Sequence, residues 1–420
     1  GTLTAYTNLL TGAATITLTA SDTNWSVAAE TLDIALAAKV RLAENLTVTA
    51  INTKANASTI YSTSNTGATN VKLTATDGEW SIAAGVLDTD LGNNINYAGA
   101  LTITSISDKD AALTDYTTSK TGATSNILTT TDGSNANWSV SATNLDAALT
   151  AGVSLVGNLT VTGIVDKAAA LTDYTAGKTG ATINKLKADD TWSLTTTTLN
   201  TALTKGVRLI GDLTVTTIAN IDETAALAAY TDTLTGATSV KLDAFDNNWS
   251  VAATTLNNAL AAKIKFADTD DLTVTAIDTE ADASTTYSTS NTGATNVTLT
   301  ATDGKWSVAA SALDTDLGAS IKYAGALTVT SVTDKVAALT DYTTAKTGAT
   351  TNTLKADDTW SIAATTLDSA LTAGVRLAGD LTVTGITSGS ETSALTKYTT
   401  AQTGATTNTL TAADDGAWSV

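Results

Sequence analysis

Three pairs of adjacent acids punctuate the chain: Asp189 and Asp190, Asp357 and Asp358, Asp414 and Asp415. Each lies in a turn rich in Asp, Asn or Gly, whose carboxylate and carbonyl oxygens suit a hard cation such as Ca²⁺. The glycine-rich nonapeptide of calcium-loaded β-rolls and the EF-hand loop are both missing, so ordinary turn chemistry is the first expectation and Ca²⁺ the second. Paired carboxylates also serve glycosidases. Here acidic turns recur in most repeats, which argues against one active site.

The residue types that are missing remove whole classes of chemistry. Cys, His, Met and Pro do not occur in the 420 residues. No disulfide, zinc–thiolate site or His-based metal site is possible, and no Ser–His or Cys–His nucleophile can be assembled. The formal charge of −19 opposes nucleic acid and anionic membranes, so neither is an expected partner. No apolar run approaches the roughly 18–20 residues that a membrane-spanning helix needs. The chain starts at Gly1 with no signal-peptide pattern, and is expected to be a processed or partial piece of something longer. No enzyme is expected.

Eight tryptophans, Trp25, Trp80, Trp138, Trp192, Trp249, Trp306, Trp360 and Trp418, could offer stacking faces to sugars. Their regular spacing favours a structural role, because each precedes Ser at the same phase of a repeat of about 56 residues. A Thr-Gly-Ala signature (Gly12, Gly67, Gly122, Gly180, Gly236, Gly293, Gly348, Gly404) and the phrase LTVT keep the same period. Repeat units fall at approximately 1–45, 46–100, 101–158, 159–212, 213–271, 272–326, 327–380 and 381–420. A near-identical segment at 62–81 and 288–307 points to tandem duplication.

These markers need elements to carry them. Leu381-Thr-Val-Thr alternates apolar and polar residues, as a strand does. Leu367, Leu371 and Val375 lie at i, i+4 and i+8 and predict one helical face, with Gly374 close to its end. The same spacing occurs at Leu32, Leu36, Val40 and at Leu145, Leu149, Val153. A second leucine phrase, around Leu73, Leu186 or Leu354, halves the unit into two coil types of about 27 residues. The expected fold is therefore a repeat solenoid: a parallel β-solenoid with a short helix in many coils, running through 1–420 as one array. Counted from Leu18 to Leu410 it has 15 rungs, which at about 4.8 Å each would span roughly 70 Å. A string of small β-sandwich domains is the rival. It leaves too few strands per unit and no reason for the halving.

With Leu and Val inward, the Thr-x-Thr pairs such as Thr47/Thr49 and Thr382/Thr384 point outward. An outward Thr array is similar to an ice-binding face, although matched pairs would recur only every second rung, about 9.6 Å apart.

Repeats such as LTVTGIVDKAAALTDYTAGKTGAT at 159–182 resemble the Thr/Ala/Asp-rich repeat regions of bacterial secreted and cell-surface proteins, including adhesins and surface-layer or fibre subunits. That resemblance implies an extracellular or cell-surface location and a structural or adhesive role. The sequence-based expectation is a non-enzymatic acidic rod or filament subunit without cofactor. Its partners would be copies of itself, end to end, or further repeats of the same chain. The alternative is an adhesin or ligand-binding solenoid that takes glycan or ice.

Overall fold

The computed structural model describes residues 3–6, 14–219 and 222–413. Trp418, Asp414, Asp415 and Gly12 lie outside them. The chain divides into two compact units: Gly1–Trp192 with Asn200–Gly211, and Ser193–Leu199 with Asp212–Val420. Each consists mostly of parallel β-sheet joined by short helices.

All fifteen leucine phrases lie on strands, but the repeat contains more strand than those phrases. Four kinds occur. The leucine strand (Asn45–Ile51) buries Leu46 and Val48 and leaves Thr47 and Thr49 half-buried, as the alternation requires. Short helices Ala57–Ile60 and Thr63–Thr66 follow. Strand Asn70–Ala83 then carries two roles in one run, a middle strand at 70–75 and a tryptophan strand at 79–83. A nine-residue helix, Ala84–Gly92, leads to a return strand that runs straight into the next leucine strand as Ile95–Ile106.

The pairing order is constant. In the first unit Trp25 pairs with Leu46, Leu46 with Val71, and Val71 with Ile95. The next ladder runs Trp80, Leu101, Asn126, Val153. A third runs Trp138, Leu159, Asn184, Val207. In the second unit the same order appears at Trp249, Leu272, Val297, Ile321 and at Trp306, Leu327, Asn352, Val375. Successive leucine phrases therefore do not pair residue for residue. Val329 pairs with Leu354, but Leu354 pairs with Leu377, four residues short of Leu381, and Leu381 pairs with Trp360.

One expectation is corrected here. The helical face does not extend to the i+8 residue: Ala364–Thr372 is helical, whereas Val375 belongs to strand Val375–Ala378. Likewise Val40 and Val153 open strands Val40–Leu42 and Val153–Leu155. A left-handed residue ends each helix, Lys39 (φ 61°), Gly152 (φ 75°) or Gly374 (φ 79°), and redirects the chain. Each helix buries an i, i+3 pair, Leu32 with Ala35, Leu145 with Ala148, and Leu367 with Ala370, and the first also buries Ala29. The tryptophans stand within strands, as at Asn24–Ala28, Asn137–Ser141 and Asn248–Ala252.

The Thr-Gly-Ala signature has a local cause. Its threonine is fully buried, as at Thr292, and the hydroxyl donates to Ser288 O and accepts from Ala294 N. Gly293 follows at φ 87°, where a Cβ would lie 2.6 Å from the Phe266 carbonyl oxygen, so only glycine fits.

Candidate functional site

The tryptophan strand is where the repeat concentrates its polar chemistry. Trp80, Trp138, Trp192, Trp249, Trp306 and Trp360 are buried, and a buried indole N–H must find an acceptor. Six of the seven described tryptophans donate Nε1–H to the main-chain carbonyl 18 residues on, at 2.9–3.3 Å: Ala43, Ala98, Val156, Ile210, Ala324 and Ala378. Each bond ties the tryptophan strand to the end of a return strand. Trp249 differs. Its segment 267–270 is longer, and the indole donates instead to the Asp270 carboxyl at 2.7 Å. Asp270 is fully buried and also accepts from Ala244 N at 3.0 Å.

Among the described residues each tryptophan strand has a strand on one side only. Alternate residues point their main-chain groups towards the leucine strand, as when Thr23 O and Ala136 O accept from Asn45 N and Asn158 N. The intervening residues face outward and would be bare edges. One chain position closes them in two ways. Lys109, Lys167 and Lys335 donate Nζ–H to the carbonyl just before the tryptophan (Asn137, Thr191, Thr359) and hold the ammonium 5.9–6.0 Å from the indole. Glu223 occupies the same position and accepts from Ser250 N, just after Trp249, at 3.2 Å. A cation caps the edge carbonyl, and an anion caps the edge N–H. Burial raises the Glu223 carboxyl above its ordinary range, and nearby Asp246 and Asp270 add to this, against the opposing pull of the Ser250 bond.

A second recurrent link joins neighbouring helices. Tyr61, Tyr116, Tyr174, Tyr342 and Tyr398 donate to Asp33, Asp88, Asp146, Asp314 and Asp368 at 2.7–2.9 Å. Burial first, then the aspartate bond and charge, push all five phenols well above the usual tyrosine range.

Two repeats replace part of their apolar core with a polar group of three. Where other repeats have Leu113, Ala148 and Leu155, these have Ser58, Asp90 and Tyr97, and again Ser284, Asp316 and Tyr323. The Tyr97 hydroxyl makes a short bond to buried Asp90, Ser58 bonds the same phenol, and the ring stands edge-on to Trp80 with centroids 4.9 Å apart. Tyr323, Asp316 and Trp306 repeat this arrangement. The larger phenol replaces volume lost on going from Leu to Ser, and its hydroxyl satisfies the buried carboxyl. Aligning the repeats shows these three exchanges together. Composition and spacing did not.

The acidic pairs lie at the surface. Asp190 is ion-paired to Lys167 and Asp358 to Lys335, while Asp189 and Asp357 sit beside them in exposed turns. Among the described residues no group of three or more acidic side chains is arranged to hold a metal. No described helix is long and apolar enough to cross a membrane. Among the described residues the Thr-x-Thr pairs of two leucine strands do not stand side by side: Thr47 lies between Ser26 and Lys72, and Thr102 between Ser81 and Ile127.

Comparison with protein-family models, with curated proteins and with solved structures finds no match to this chain.

Proposed function

We propose that the chain is a non-enzymatic structural protein whose parallel ladders are turns of a β-solenoid. Two coil types of about 27 residues would make each unit of about 56. In this reading it is an acidic, extracellular or cell-surface rod, stalk or filament subunit, continued end to end by copies of itself or by more of the same repeats. One observation carries the proposal. The same ladder order recurs along the chain, and most described repeats add an indole-to-carbonyl bond or a Tyr–Asp link that ties one segment to the next. Electron microscopy of the purified chain over rising concentration tests it. Filaments or end-to-end strings are expected, and discrete particles at every concentration would refute assembly.

A ligand-binding face is the second reading, favoured by one register detail. Thr273 stands beside Thr298, Thr328 beside Thr353 and Thr382 beside Thr409, all on the outward side of the sheet. Ice-growth inhibition or a glycan-array signal lost on replacing these threonines would support it.

A further inference from the structure

In the repeat of Trp80 the lysine is paired away from the tryptophan edge, and a cavity stands beside that edge. In the first unit the position of Lys109 and Glu223 is held by Lys54, whose ammonium bonds Asp77 at 2.6 Å; Lys167 and Lys335 make the equivalent aspartate pair and also cap the edge carbonyl, a second bond that Lys54 does not add. Ser81 follows Trp80 as Ser250 follows Trp249, so its N–H faces outward. Beside it opens a cavity of about 410 Å³, bounded by Lys54 and Ser58 on one wall and by Trp80, Ser81 and Val86 on the other, with buried Tyr97 behind.

We infer that this cavity binds a small monocarboxylate with a compact apolar tail. The recognition chemistry is already present within the molecule: the Glu223 carboxylate on Ser250 N–H occupies the corresponding place in another repeat. In the cavity a ligand carboxylate accepts from Ser81 N–H, Lys54 supplies the countercharge, and the tail meets Val86 and the edge of Trp80. Main-chain N–H to carboxylate is a charge-assisted bond, stronger than its neutral counterpart. The volume suits a ligand of about ten non-hydrogen atoms, within the usual range of small-molecule sites. The Lys54–Asp77 pair competes, but Asp77 is more than half exposed, and such a pair is weak. The near-duplicate repeat provides an internal control, because Glu280 stands where Lys54 stands and Ser307 where Ser81 stands.

The test is amide NMR of the full chain titrated with benzoate, with benzamide as the neutral isostere. The Ser81 cross-peak should move saturably with benzoate at least tenfold more tightly than with benzamide, while Ser307 stays still. Lys54→Glu should abolish the Ser81 shift with the remaining spectrum unchanged, and Asp77→Asn should tighten binding by freeing Lys54. Equal shifts with benzamide, an equal response at Ser307, or a Ser81 peak that does not move would each overturn the inference.

Discussion

The Trp249 indole donates to the Asp270 carboxyl at 2.7 Å, in the place where six other tryptophans donate to a main-chain carbonyl. A side chain thus supplies the acceptor that the longer 267–270 segment has moved out of reach. Asp270→Ala leaves two buried donors, Trp249 Nε1–H and Ala244 N–H, without a partner. Urea denaturation should show a loss of about 3 kcal/mol, most of it recovered in Asp270→Asn, which keeps an acceptor oxygen.

The Tyr–Asp links set a pH limit. Each phenol is neutral when folded, and its pKa is raised above the ordinary value of 10.0. A raised folded pKa contributes stability that is complete below the unfolded pKa and is lost as pH rises through the folded one. Absorbance at 295 nm should therefore show most tyrosines resisting ionisation until the protein unfolds. Tyr116→Phe should cost about 1 kcal/mol at neutral pH and remove one resistant phenol.

Glu223 carries the same sign at the other end of the scale. Its folded pKa lies above 4.5, so its contribution is complete at acid pH and falls as pH rises through the raised value. Glu223→Gln retains an acceptor for Ser250 N–H and should flatten that part of the stability–pH curve. Glu223→Ala loses the edge bond and should be the less stable variant at every pH. Thermal melts across pH 4 to 8 distinguish the two.

Two glycines at positive φ should respond unequally to alanine. At Gly99 (φ 98°) a Cβ would lie 2.0 Å from the Gly78 carbonyl oxygen, whereas at Gly163 (φ 63°) it meets nothing within 4 Å. Gly163→Ala pays only the left-handed backbone cost, about 1 kcal/mol. Gly99→Ala adds a clash and should cost at least ~2 kcal/mol more, read from denaturant midpoints.

Parallel strands and short helices were legible in the sequence because LTVT alternates over enough residues to declare a strand and the i, i+4 spacing of Leu367 and Leu371 declares a helix. The return strands were not. Val40–Leu42 and Val153–Leu155 are three residues long, too short for alternation to register, and Val40 or Val153 at i+8 imitates the helix that has already ended. The tryptophan strands were missed because Trp80 follows Leu73 within one continuous strand, where a turn-rich composition masks the extended backbone. The edge closure was invisible for a different reason. Lys109 and Glu223 have opposite charges yet serve the same edge, and composition registers only their difference.

The pairing order of tryptophan, leucine, middle and return strand is the claim on which the rest depends, and a disulfide tests it directly in a chain without native cysteine. Thr47 and Lys72 are paired neighbours with accessible side chains, at a separation that a disulfide spans. The double variant Thr47→Cys with Lys72→Cys should oxidise to a single intramolecular link with unchanged circular dichroism, while Thr47→Cys with Thr102→Cys should remain reduced. Cross-linking of the second pair in preference to the first would contradict the order.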